Sequence, residues 1–154
     1  MSKKVKILII SLIVILDQFL KFSVKTNIAP ENEVPLIPGF ISLTNIKNSG
    51  AAWSLWEGKT WIFIIVTLIF IPFAIYFLFF KKYQDSWFNT GLALILGGTI
   101  GNFIDRIFER QVVDMIMLKF IDFPIFNLAD VAINVGVVCL VIYLFKSGKD
   151  TPNE

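Results

Sequence analysis

Histidine is absent from this chain and cysteine occurs once, as Cys139. These two gaps remove the Ser-His-Asp and Cys-His nucleophile systems, any internal disulfide and most zinc sites. Charge is scarce as well. Asp, Glu, Lys and Arg make up 17% of the 154 residues, against roughly one quarter in ordinary globular chains. The net charge of +2 is too small to point to nucleic acid. What fills the chain is apolar: 56% hydrophobic residues, 16 of them Phe, and a mean hydropathy of +0.73. A soluble fold of this size would have to hide nearly all of that surface. The apolar residues instead run in long blocks, whose natural solvent is the bilayer.

Four such blocks cover residues 7–24, 61–80, 87–104 and 125–145, each close to the roughly 20 residues that cross hydrocarbon as a helix. The expected fold is an all-α membrane protein of four transmembrane helices, forming one integral membrane domain over residues 1–154. Cys139 reads as an inert core residue, and Trp61 and Trp87 as interface anchors at span ends. Lys3, Lys4 and Lys6, then Lys81 and Lys82, then Lys146 and Lys149 flank the spans on one side, which predicts cytoplasmic termini. The N-terminal block has no small-x-small cleavage site and carries Asp17 and Lys21, so it reads as a retained span rather than a removed signal. The loop 25–60 is left to do the extramembrane work. Its segment 34–46 is β-prone and bounded by Pro and Gly, and predicts short strands. Residues 51–56, with Trp53 and Trp56, predict a short amphipathic helix or lid on the membrane surface.

With that orientation, three spans place costly polar groups at one depth near the outer leaflet. Span one brings Asp17 and Lys21, span three brings Asn102, Asp105 and Arg106, and span four brings Asn127 and Asp130. Asp114 lies just beyond span three. Ionisable groups at such depth are functional candidates by default, although helix-pairing glue is the competing reading, strongest for Asp17 and Lys21 four residues apart on one face. The G-x-x-x-G of Gly97 and Gly101 reads first as close helix packing. Gly98 beside it would let another backbone or a substrate approach near Asn102. Without histidine as a base, peptide hydrolysis can be run by two carboxylates and a water, one ionised and one protonated. Asp105, Asp114 and Asp130 are the available groups, and Asp114 with Asp130 suits the task. A proton or cation pathway would use the same residues, and an assembly subunit would need none of them; spacing alone does not decide among the three.

Five blocks of sequence, in order along nearly the whole chain, resemble the bacterial lipoprotein signal peptidases (signal peptidase II). They are Asp17-Gln18 with Lys21; Asn48-Ser49-Gly50-Ala51-Ala52-Trp53; Gly97 to Asn102 leading to Asp105-Arg106; Val112-Val113-Asp114; and Phe123 to Asp130. The resemblance implies an aspartic endopeptidase of the bacterial cytoplasmic membrane that needs no metal or cofactor. It would remove signal peptides from diacylglyceryl-modified prolipoproteins just before the lipidated cysteine. By the same resemblance Asp114 and Asp130 are the catalytic pair, and Asn48, Gly98, Asn102, Arg106, Asn127, Asp17 and Lys21 line the site. The inhibitor would be a globomycin-type cyclic peptide and the working unit a monomer. Two positions depart from the usual pattern: Arg110 stands where many relatives have Gly, and Met115 where many have Phe. Arg110 raises the question of whether that turn adopts the left-handed conformation that favours Gly. A lid over the two carboxylates predicts that globomycin lowers hydrogen exchange across residues 34–56; exchange left unchanged would count against it.

Overall fold

The computed structural model describes residues 1–50, 55–81 and 85–147. Helix α1 (Lys3–Asn27) starts at Ser2, whose hydroxyl accepts the Val5 N–H at 3.3 Å, a standard N-cap. Strands β1 (Glu33–Ile37) and β2 (Ile41–Asn48) follow as a hairpin, then helices α2 (Thr60–Ile75) and α3 (Ser86–Glu109), strand β3 (Val112–Leu118) and helix α4 (Leu128–Ser147). With the π-helical turn Tyr76–Phe80 that extends α2, four helices are long and apolar enough to cross a bilayer. Pro72 lies inside α2, and the wide turn beyond it is capped by Lys6, which is buried and donates from Nζ to the Leu78 carbonyl at 2.6 Å. Of the expected cytoplasmic lysines, Lys82 and Lys149 lie outside the described residues.

The bundle is built inside out. On α1 the buried residues are Lys6, Asp17, Lys21 and Val24, while Ile7, Leu8, Leu12, Ile15 and Phe19 are exposed. In lipid, apolar side chains gain nothing by leaving the tails, so small residues and polar contacts select the helix faces that meet. Helix α3 is the central element. Gly97 and Gly101 pack on α1, where a Cβ at Gly101 would stand 2.6 Å from Asp17 Oδ2. On the opposite side Gly91 crosses Gly136 of α4, and a Cβ on either would come within 2.7 Å of the other's carbonyl oxygen. Gly98 is filled by the Ala129 backbone. Its neighbour is a helix, the first of the two occupants that the sequence allowed.

The sheet has the order β1-β2-β3, antiparallel throughout. Its hairpin closes in a tight turn in which the Phe40 N–H donates to the Ile37 carbonyl at 2.9 Å. Pro38 and Gly39 (φ +77°) occupy the central positions, as a type II turn requires. Val113 and Met115 pack against Val24 and Ile28 at the end of α1, so the sheet lies across the ends of the helices. Met115, one of the two departures, is thus a buried core residue.

Several boundaries differ from those read in the sequence, and α1 covers Lys3–Asn27 rather than 7–24. Helix α3 continues past 104 to Glu109. Asp114, expected in a connection, stands on a strand paired with β2. Helix α4 begins at Leu128 rather than near 125. The physical reason for the last is that Phe126 is spent on β3: its N–H donates to the Ile116 carbonyl, and its carbonyl accepts the Met115 and Ile116 N–H groups at 3.0 and 2.8 Å. The apolar content of 125–127 read as helix, and the backbone pairing made it sheet.

Arg110 ends α3 in the left-handed conformation, φ 59° and ψ 10°, and its carbonyl accepts from Thr60 Oγ1 at 2.7 Å. The turn therefore keeps the Gly-type geometry with a non-Gly residue, at a cost of about 1–2 kcal/mol. Arg110→Gly keeps the carbonyl and removes the strain. It is expected to raise the thermal unfolding midpoint in detergent, by about 1 kcal/mol of stability once the greater chain entropy of Gly is offset.

Candidate active site

The polar residues of three helices meet at the sheet end of the bundle, and Lys21 is where they join. Its ammonium is 1% exposed and lies 2.8 Å from Asp17 Oδ2 on its own helix and 2.8 Å from Asp105 Oδ2 on α3. Its third contact is a hydrogen bond to Asn102 Oδ1 at 2.8 Å. The two carboxylates have further partners. Asp17 Oδ1 accepts the Ala129 N–H at 2.9 Å, in the first turn of α4. Asp105 Oδ1 accepts from Gln18 Nε2 at 3.0 Å, and the same amide reaches the Gly101 carbonyl at 3.1 Å. Asp17 and Lys21 thus pair as their spacing suggested and also pin α1 to α3 and α4.

Asn102 passes this arrangement on. With its oxygen held by Lys21, its Nδ2 is turned to donate to Asp130 Oδ1 at 2.8 Å. Asp130 Oδ2 accepts the Asn127 N–H at 3.1 Å, and Asn127 Oδ1 accepts the Asp130 N–H at 3.0 Å. This reciprocal pair has the spacing of a capping box and fixes the start of α4. Asn127, which is fully buried, then donates from Nδ2 to Asp114 Oδ1 at 2.7 Å. The other oxygen of Asp114 accepts from Asn48 Nδ2 at 2.8 Å, and Asn48 Oδ1 holds the Gly50 N–H at 2.8 Å. One residue therefore touches both carboxyl groups, and each carboxyl is fixed from a second side by another asparagine. Burial pushes the Asp114 carboxyl up to about 6. The Asn48 and Asn127 amides and Lys21 oppose that rise, and the charge of Asp130 adds to it.

Both carboxyl groups face one cleft of about 310 Å³ between β3, α3, α4 and the segment 123–126. Arg106 lines it with Asn102, Asn48 and Asn134. Arg106 reaches away from its own helix, to the Gly50 carbonyl at 3.3 Å and over the Phe63 ring of α2 at 4.7 Å. Its Nε is buried without a hydrogen-bond partner among the described residues. Asn102 and Arg106 also border a second cavity of about 320 Å³, whose other walls are Val66, Thr67, Phe70, Ile95, Thr99 and Ile133. Asp105, the third candidate carboxylate, does not line the cleft and is committed to Lys21 and Gln18. No three His, Cys, Asp or Glu side chains converge to hold a metal ion among the described residues.

Every candidate lies in this one network or against its helices. Asn48, Asn102, Arg106, Asp114 and Asp130 line the cleft, Asn127 joins the two carboxyls from behind it, Asp17 and Lys21 support it, and Gly98 lets α4 approach α3. Two contributors escaped sequence reasoning. Gln18 appeared only as part of a matching block, and its adjacency to Asp17 was the available signal. Phe63 comes from span two, which carries no charge, and no pattern distinguishes it from its apolar neighbours. Ala51 to Ser54 of the expected lid lie outside the described residues. Of its remainder, Trp56 is exposed, with its ring 6.0 Å from Phe63.

Removing one member of a buried ion cluster leaves its partners uncompensated, at about 3–5 kcal/mol. Lys21→Met is therefore expected to lower the thermal midpoint in detergent sharply. Adding Asp17→Asn to Lys21→Met should recover part of that loss, and a double variant no more stable than the single one would contradict the coupling.

Comparison with known proteins agrees with this geometry. A family model described as signal peptidase (SPase) II matches residues 9–146. A lipoprotein signal peptidase of Lactobacillus johnsonii is 48% identical over 151 residues, covering 97% of this chain and 98% of that one. One from Enterococcus faecalis is 46% identical over 153 residues, covering 95% and 94%. A solved bacterial membrane enzyme superposes with a TM-score of 0.91 at 34% identity, covering 99% of this chain and 94% of the other. A second has a TM-score of 0.86 at 35% identity, covering 97% and 96%. Near-complete coverage by family, relatives and fold leads to one conclusion: this multi-pass membrane chain belongs to the signal peptidase (SPase) II family and is an aspartic peptidase.

Proposed function

We propose that the chain cleaves the signal peptide from diacylglyceryl-modified prolipoproteins, just before the lipidated cysteine, and that Asp114 and Asp130 activate the attacking water. The observation that carries this reading is Asn127, which touches both carboxyl groups where they face one cleft. Lys3, Lys4, Lys81 and Lys146 lie at the bundle end opposite the sheet. A basic end is retained in the cytoplasm, so the cleft opens at the outer leaflet, the depth of a lipid-modified cut site that follows a membrane-inserted signal helix.

In this scheme Asp130 is the base. Its oxygens accept from Asn102 and from the Asn127 N–H and those of Asp114 from Asn127 and Asn48, so the assignment rests on the burial of Asp114. Asp114 is the acid, carrying the proton that burial favours. A water between them gives a proton to Asp130 as its oxygen bonds to the scissile carbonyl carbon, and Asp114 delivers its proton to the carbonyl oxygen. The tetrahedral diol then collapses. The C–N bond breaks, Asp130 passes its proton to the leaving amine, and Asp114 recovers one from the diol hydroxyl. Arg106 lines the cleft, and its guanidinium would hold a substrate oxygen there. The neighbouring apolar cavity behind Asn102 and Arg106 suits an apolar chain of the same substrate. The catalytic unit is one chain, treated as a single membrane domain, and globomycin-type peptides would compete for the cleft.

Two measurements test this. Mass spectrometry of products from a diacylglyceryl-modified prolipoprotein peptide should show one cut on the N-terminal side of the modified cysteine. The unmodified peptide should be cut at least tenfold more slowly (on the order of 1.4 kcal/mol per decade); equal rates would remove the lipid from the specificity. For pH, an acid that works protonated loses activity as pH rises through its pKa. kcat/KM should therefore fall as pH is raised through about 6, and a rate that climbs steadily through that range would reverse the acid and base assignments.

A further inference from the structure

Away from the cleft, the sheet ends in an apolar tip that the fold leaves uncovered. The hairpin turn contributes Leu36, Ile37 and Phe40, and the loop after β3 contributes Phe120 and Ile121; these five side chains are between 48% and 58% exposed. The two loops are held as one unit. Phe40 and Phe120 have ring centroids 6.0 Å apart, and the Lys119 N–H donates to the Phe40 carbonyl at 2.9 Å. Of the nearest charges, Lys119 Nζ lies 3.0 Å from Glu33 Oε2, and Asp122 follows Ile121 at the edge of the tip. Between Leu36 and Phe40 there is no charge at all. A contiguous apolar tip of this kind, with its charges confined to the rim, is the sign of a lipid or protein contact rather than of a solvated loop.

The position of the tip selects lipid. The sheet packs through Val113 and Met115 on the end of α1, so its strands run across the helix ends rather than away from them. Ile116 is bridged to Phe126, two residues before α4 begins. Phe120 is four residues past Ile116, hence at most roughly 13 Å from that point at 3.3 Å per residue. The tip is therefore tethered within that distance of the segment that leads into α4, a membrane-spanning helix whose Val131, Val135 and Val138 are exposed.

We propose that the β1–β2 turn and the loop 119–121 form an aromatic clasp seated in the leaflet on the sheet side, at the boundary of headgroups and acyl chains. The clasp fixes the height and tilt of β3, and with them Asp114, relative to the lipid. The Lys119–Glu33 pair stays at headgroup level while Phe40, Phe120, Leu36 and Ile37 lie below it. Nothing in this depends on the identity of the substrate.

Site-directed spin labelling of the full chain in phosphatidylcholine–phosphatidylglycerol vesicles tests it. Phe40→Cys and Phe120→Cys, each made with Cys139→Ala, place the label on exposed side chains, and Asn32→Cys at the other end of β1 is the polar control. Oxygen concentrates in lipid and a nickel chelate in water. Labels at 40 and 120 should collide with oxygen several-fold more, relative to nickel, than the label at 32. Equal ratios at the three sites would put the tip in water and overturn the proposal. Labels at 40 or 120 shielded from both reagents and broadened by a second label would show another copy of the chain covering the tip, and would overturn it equally.

Discussion

The ammonium group of Lys21 is the point on which the arrangement turns. It stands almost fully buried among Asp17, Asp105 and Asn102, each 2.8 Å away. In a membrane, helix association is driven without the hydrophobic effect, so the faces that meet are chosen by small residues and by polar contacts. Here one cation satisfies a carboxylate from α1, a carboxylate from α3 and the amide that points at Asp130. Gly101 supplies the space: a side chain there would strike Asp17. The same cluster that holds the helices together also sets the rotamer of Asn102. Asp17 and Lys21, for which structural glue and function were both open at the sequence level, hold the helices together, and Lys21 also touches the asparagine that donates to Asp130.

A second constraint comes from the backbone. Helix α4 needs its first N–H groups satisfied within the apolar layer, and two carboxylates and one amide do so. Asp17 takes the Ala129 N–H, Asn127 takes that of Asp130, and Asp130 returns the bond to Asn127. The helix start and the cleft are consequently one construction. Asn127 joins it to β3 through Asp114, which explains why a small sheet is fused to a helical bundle: the strand brings the second carboxyl to the level of the first. Burial raises the pKa of the carboxyl on this strand to about 6, against the opposing effect of its asparagine donors, whereas a flexible loop would have left it solvated.

Much of this was legible in the sequence. Four spans follow from apolar run length, and the meeting of polar residues at one end follows from span direction. The i,i+4 spacing of Asp17 and Lys21 gave their ion pair. The rest depended on long-range pairing that periodicity does not encode. β3 is a short apolar run beside a charged residue and reads equally as connection; its strand character comes from pairing with β2 and with Phe126. For the same reason α4 starts three residues later than its hydrophobicity suggests. Asn48 was reached through resemblance alone, because an asparagine in a polar loop carries no signal until Asp114 is opposite it. Gln18 and Phe63 share that difficulty. Arg110 shows the reverse case, in which a departure from the family pattern posed the right question about a left-handed residue and the backbone answered it.

The central claim is that the two carboxyl groups joined by Asn127 are the reacting pair. The most direct measurement is cleavage of a diacylglyceryl-modified prolipoprotein peptide by Asp114→Asn and by Asp130→Asn, each purified and matched to the parent chain in thermal midpoint. Both substitutions keep the volume of the side chain and remove its acid–base chemistry, exchanging one acceptor oxygen for a donor, which is why the thermal midpoints are matched. The account predicts that each alone lowers kcat on the order of 10³-fold. Cleavage that persists near the parent rate in either folded variant would contradict it.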